Sequence, residues 1–142
     1  MSRSITDAEV LEYIARVQSL SSDQAAGSVA EPRAIYNQRS AALMHPLFDG
    51  DSVHDDMIVG EEGVIPIRRY FYREPAVVHV LDWHGGGFVL GSLESHNYRC
   101  AELAQARGTE RVAVEYRLAR EHPHPAQLHD ALTAADTLGD RP

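Results

Sequence analysis

The sequence predicts an α/β fold: two leading helices, a β-hairpin, then strand, helix, strand and helix, about four strands in all. Three observations carry this. Short apolar runs alternate with stretches of helical periodicity after residue 50. Glycine pairs or capping residues punctuate nearly every boundary. The first 50 residues, by contrast, carry helical patterns only.

Thr6-Asp7-Ala8-Glu9 reads as a capping box opening a helix to about Leu20. Val10, Leu11, Ile14 and Val17 then fall on one apolar stripe. Ser19 to Ser28 is polar and contains glycine, as a loop does. Pro32 suits the start of a second helix, which ends before Pro46 and draws an apolar face from Ile35, Tyr36, Leu43 and Met44. Met57-Ile58-Val59 and Val64 to Tyr72 flank Gly60-Glu61-Glu62-Gly63, a hairpin signal. Pro66 cannot donate to a ladder and is expected at an edge or bulge. Val77 to Trp83 is the next strand. Ser92 caps a helix through about Arg107 that Gly108 ends. Arg111 to Tyr116 forms a further strand, and Pro125 to Leu138 a last helix. The chain divides into a helical segment, residues 1–50, and an α/β core, residues 51–142.

Composition excludes several classes. The 142 residues are 44% hydrophobic and 24% charged, ordinary for a globular domain. The net charge of −8, without a basic run, argues against a nucleic-acid partner. A single cysteine, Cys100, excludes a disulfide framework and suits a reducing compartment. No stretch approaches about 18 apolar residues, and no apolar leader opens the chain. The expectation is a cytoplasmic protein without a membrane partner.

The chemistry concentrates at His84-Gly85-Gly86-Gly87-Phe88, directly after an apolar strand. Consecutive glycines bare backbone N–H groups that can receive a small anion, and an HGGG loop is one form of the oxyanion hole used in acyl transfer. A competing reading takes Gly85-x-Gly87-x-x-x-Gly91 as a dinucleotide fingerprint with Glu115 as its ribose-binding acid. Against it, helix entry waits until Ser92, and Phe88-Val89-Leu90 puts bulk where a pyrophosphate lies. His122, His124 and His129 near Asp130 offer a metal-binding alternative to a solvated loop. His96 and Cys100, four apart on a helix, offer a thiolate pair, against a simple core cysteine. His79, within a strand, reads as packed or surface-facing. No cofactor or metal is expected.

A second motif, Glu115-Tyr116-Arg117-Leu118-Ala119-Arg120-Glu121-His122-Pro123-His124-Pro125-Ala126, leads to Asp130. With His84 to Ser92 it strongly resembles the hormone-sensitive-lipase-like branch of the α/β-hydrolase fold, whose members carry HGGG(F/W)xxG and then D-Y-R-L-A-P-E-x-P-x-P-A. The resemblance runs from roughly Val53 onward, and the two leading helices match that family's N-terminal cap, which covers the acyl pocket. It implies that the amides of Gly86 and Gly87 are oxyanion donors, with Gly85 shaping the turn and His84 anchoring it from below. It also implies that Glu115, Arg117 and Asp130 form a structural polar cluster. Two departures are visible: Glu115 replaces the usual Asp, and Arg120 replaces a Pro, which implies a looser loop.

Serine hydrolases of this fold place their nucleophile in G-x-S-x-G, followed by an acid and a histidine. No serine here lies in that motif; Gly91-Ser92-Leu93 and Gly27-Ser28-Val29 come nearest. The resemblance therefore implies the N-terminal half of an ester hydrolase, truncated or split before its fifth strand, carrying the oxyanion loop without the catalytic triad and inactive alone. An acyl ester is the expected substrate only when a C-terminal half completes the site. The family's strand order leaves the Val77–Trp83 strand as an open edge, available for self-association. Two other readings stay open: a non-catalytic interaction module using that edge, and a nucleotide-binding α/β domain.

Overall fold

The computed structural model describes residues 7–19, 29–43, 51–72 and 78–139. Helices α1 (Ala8–Ser19) and α2 (Ala30–Leu43) precede strands β1 (Asp51–Gly60), β2 (Gly63–Tyr72) and β3 (His79–Trp83). Then follow α3 (Leu93–Arg107), β4 (Glu110–Val114) and α4 (Ala126–Gly139). The strands form one sheet in the order β1-β2-β4-β3. β1, β2 and β4 pair antiparallel in turn, while β3 and β4 run parallel and are joined by α3.

The hairpin is tighter and longer than expected. Gly60 pairs with Gly63, so Glu61 and Glu62 alone make the turn, and β1 reaches back to Asp51. Its first half is polar, but the charges are paired across the ladder. Arg68 donates to both carboxylate oxygens of its register partner Asp55 at 2.5 and 3.0 Å, and Arg69 approaches Asp56 at 3.7 Å. Cross-strand charge pairs supply what apolar alternation does elsewhere. Pro66 corrects another expectation, because β2 is flanked on both sides. The β2–β4 ladder starts at Ile67, so the missing N–H falls just past its end, where the Pro66 carbonyl accepts Glu115 N at 2.9 Å.

The sheet is covered on both faces. On one, Tyr70 and Ala113 pack with Cys100, Ala101 and Ala104 of α3. On the other, Ile58, Ile65, Ile67, Val112 and Val114 meet Ala134 of α4 and Tyr116. α3 is capped as the sequence predicts, with reciprocal bonds between Ser92 and Ser95 at 2.8 and 3.1 Å and Gly108 in the left-handed region. Asp7 caps α1 through Glu9 N and Val10 N, at 3.0 and 3.1 Å; Thr6, assigned to that box, lies outside the described residues, as do Leu20, Met44 and Val77. The apolar stripe of α1 is less buried than its periodicity predicts: Val10 and Leu11 are exposed, while Ile14 and Val17 are half-buried. Arg16 of α1 bonds the Ala42 carbonyl of α2, and α2 rests on α3. Among the described residues no helix is long and apolar enough to cross a membrane.

Candidate functional site: the glycine bend and its clamp

β3 delivers Trp83 to the end of the sheet, opposite Val114, and the chain then turns through the glycines. His84 is buried beneath the bend, stacked on Tyr116 with ring centroids 4.3 Å apart, and its carbonyl accepts the Tyr116 hydroxyl at 2.7 Å. Its Nδ1 donates to the Gly85 carbonyl at 3.0 Å. The bend itself closes when the Gly86 carbonyl accepts Val89 N and Leu90 N, at 3.2 and 2.9 Å. Gly86 has φ +129°, and a Cβ there would stand 2.1 Å from the Leu90 carbonyl oxygen, so only glycine fits. Among the described residues the amides of Gly86 and Gly87 meet no acceptor. Gly87 also borders a hollow of about 550 Å³ walled by Trp83, Phe88, Tyr116, His124 and Leu128. Phe88, at φ +65°, is 62% exposed, its ring edge-on to that of Tyr116 with centroids 6.4 Å apart.

The loop after β4 is fastened to this bend. Phe88 O accepts Ala119 N at 2.8 Å. Arg33, in the first turn of α2, reaches both segments: Nε donates to the Val89 carbonyl at 2.8 Å and Nη2 to the Ala119 carbonyl at 2.7 Å. The same guanidinium grips both oxygens of Glu121 at 2.8 Å, and holds that carboxyl down to about 2. Arg120 therefore sits in a loop that is tied on either side of it. Nothing in the local sequence marks Arg33, whose partners lie more than 50 positions away.

The expected polar cluster forms only in part. Arg117 donates to Asp130 through its backbone N (2.8 Å), Nε (3.0 Å) and Nη2 (2.8 Å), and Asp130 is buried. Glu115 is not with them. Its carboxylate accepts Leu93 N at 2.5 Å, at the N-terminus of α3, where a helix favours negative charge. Glu62 of the hairpin turn takes its place, bonded to Arg117 and to His129 Nδ1 at 2.8 and 2.7 Å. Those partners keep the Glu62 carboxyl below its usual range, Arg117 first. Because Glu115 already fills the first turn of α3, the position that a pyrophosphate needs is occupied by protein.

The remaining candidates disperse. Cys100 is fully buried, and desolvation pushes its thiol up to about 12. His96 turns from it to Ser95 Oγ (2.9 Å) and to the ring of His84 (5.5 Å). His79 is half exposed and bonds the buried Glu110 carboxylate. Among the described residues no three His, Cys, Asp or Glu side chains are grouped to hold a metal ion.

A family model for the alpha/beta hydrolase fold matches residues 80–142. Fold and bend together thus define an α/β-hydrolase. Ethyl acetate hydrolase of Pseudomonas putida is 36% identical over 111 residues, 73% of this chain and 34% of that protein. Esterase LipI of Mycobacterium tuberculosis is 49% identical over 88 residues, 58% of this chain and 27% of its own length. A solved esterase of Pyrobaculum calidifontis superposes with a TM-score of 0.78 at 36% identity, covering 90% of this chain and 42% of that one. The chain thus has the α/β-hydrolase fold, and its two motifs resemble those of the hormone-sensitive-lipase-like branch. It spans about a third or less of the length of these two curated relatives.

Proposed function

We propose that this chain is the oxyanion-binding part of a carboxylic-ester hydrolase acting on short acyl esters, with the nucleophile, acid and histidine supplied by residues outside these 142. The observation that carries it is the pair of neighbouring amides, Gly86 and Gly87, which meet no acceptor among the described residues, with Gly87 bordering an apolar hollow. A serine Oγ attacks the acyl carbon as its proton passes to the histidine. The carbonyl oxygen becomes an oxyanion and accepts from the two amides. Collapse expels the alcohol, which takes that proton, and water then releases the acid from the serine. One such donor is worth about 3 kcal/mol of transition-state stabilisation. The hollow takes the apolar part of the ester.

The test is p-nitrophenyl acetate hydrolysis by the purified chain, alone and co-expressed with the C-terminal segment of the Pyrobaculum calidifontis esterase. The expected result is background alone and turnover in the complex. Enzymatic turnover by the chain alone, or an assembled complex without any, overturns the proposal. A second reading, an interaction module, draws on β3, which ends the sheet with Val78 exposed beside it. It predicts concentration-dependent self-association in sedimentation.

A further inference from the structure

Arg33 stands apart from every element of the glycine motif, yet its side chain touches both halves of the site. Its guanidinium spans three segments: the first turn of α2, the Val89 carbonyl in the bend, and Ala119 and Glu121 after β4. Four bonds of 2.7–2.8 Å use Nε and both terminal nitrogens, a fork that lysine cannot reproduce. The Val89 peptide is part of the turn that orients the glycine amides, because Val89 N and Leu90 N both donate to the Gly86 carbonyl. Holding the Val89 carbonyl from outside therefore fixes the plane of a peptide inside that turn. The bond from Ala119 N to Phe88 O closes the same junction from the other side. Arg33 is mostly sheltered, its side chain 23% exposed, and its Glu121 partner is at the surface.

We propose that Arg33 is a positioning residue for the oxyanion site: through Val89 and Ala119 it sets the bend that presents the Gly86 and Gly87 amides, and it makes the seating of α2 a determinant of that geometry. The role rests on the oxyanion reading above, but its structural half does not need turnover to be measured. A misplacement of about 1 Å at a reacting centre costs on the order of 100-fold in rate, which sets the scale of the effect.

The experiment compares Arg33→Lys, Arg33→Ala and, as a control on the same helical turn, the exposed Glu31→Gln. Hydrogen exchange is read on the full chain at the amides of Val89, Leu90 and Ala119. Both Arg33 variants are expected to lose protection there by at least tenfold while the β2 amides keep theirs, and the control is expected to change nothing. Methylguanidinium is expected to restore protection in Arg33→Ala and not in Arg33→Lys, whose ammonium still fills the site. In the complemented complex the same variants are expected to lose about 100-fold in kcat with KM little changed. Unchanged exchange at Val89 and Leu90 overturns the clamp, whatever the activity. Loosened exchange with full kcat overturns the positioning role alone. A complex in which even the unmodified chain is inactive is a failure of the ester-hydrolase reading, and the exchange result still decides the clamp.

Discussion

Alanine placed at each of the three consecutive glycines separates three physical demands that the sequence writes with one letter. At Gly85 the backbone is ordinary and a Cβ would meet only His96 Nε2 at 3.9 Å, so Gly85→Ala is expected to cost little. At Gly87 nothing lies within 4 Å, but φ is +62°, and a side chain there costs about 1 kcal/mol through the left-handed backbone alone. At Gly86 φ is +129° and the new Cβ stands 2.1 Å from the Leu90 oxygen and 2.5 Å from its carbon. Backbone strain of about 1–3 kcal/mol is joined there by an overlap worth about 1–3 kcal/mol, giving about 4 kcal/mol together. Opening the turn is no cheap escape, because it forfeits two bonds to the Gly86 carbonyl at about 1 kcal/mol each and leaves the strain.

Urea unfolding followed by the sole tryptophan, Trp83, reports on this directly, since Trp83 ends β3 next to the bend. With a slope of about 2 kcal/mol per molar urea, Gly86→Ala is expected to unfold about 1.5 M earlier than Gly87→Ala. Midpoints that coincide for the two variants refute the close approach of residues 86 and 90, and with it the shape of the bend.

Three further outcomes follow from the structure. Cys100, with its thiol pushed up to about 12 and no exposed surface, is expected to react with Ellman's reagent at pH 8 only as fast as the chain unfolds; immediate labelling contradicts its burial. Arg117→Ala strands the buried Asp130 carboxylate and is expected to cost about 3 kcal/mol by urea unfolding, tempered by the partial exposure of Arg117. The Glu121 carboxyl is held at about 2 by Arg33, below the unfolded value of about 4.3, so its contribution is complete above that value and lost as pH falls through 2. Carbon NMR titration is expected to show this low midpoint, and Arg33→Lys to raise it towards the ordinary range.

Local chemistry was legible in the sequence, and long-range chemistry was not. Ser92 and Gly108 bound α3 as their capping chemistry requires, and the glycines between them and β3 make the bend. The start of β1 was hidden because Asp55 and Asp56 look like loop until Arg68 stands opposite Asp55 and Arg69 comes diagonally within 3.7 Å of Asp56. Pro66 pointed to an edge because a missing donor needs an unpaired position; the end of a ladder inside the sheet is equally unpaired. The resemblance implied Glu115 beside Arg117, but Glu62 stands there instead. Just past the end of β4, the Glu115 carboxylate accepts Leu93 N at the start of α3, while the hairpin brings Glu62 from 55 positions away. Arg33 had no signature for the same reason: its function is a junction, and a junction is visible only when its three segments have met.

That junction bears on how the proposed chemistry divides along the chain. Preorganised donors lower a barrier only if they hold their places before charge develops, so that none of the gain is lost to reorganisation. Every bond named as fixing the bend originates within the described residues: Tyr116 on His84, Val89 and Leu90 on Gly86, Ala119 on Phe88, and Arg33 across both loops. None of them requires a nucleophile to be present. The amides of Gly86 and Gly87 are thus held by a frame independent of the residues that would use them, and a complementing segment has to deliver its serine to a bend already shaped. Complementation should accordingly tolerate changes in the incoming segment away from its serine far better than it tolerates loss of Arg33. The reverse pattern, a bend whose exchange protection appears only once the second segment binds, would show that the order of assembly runs the other way.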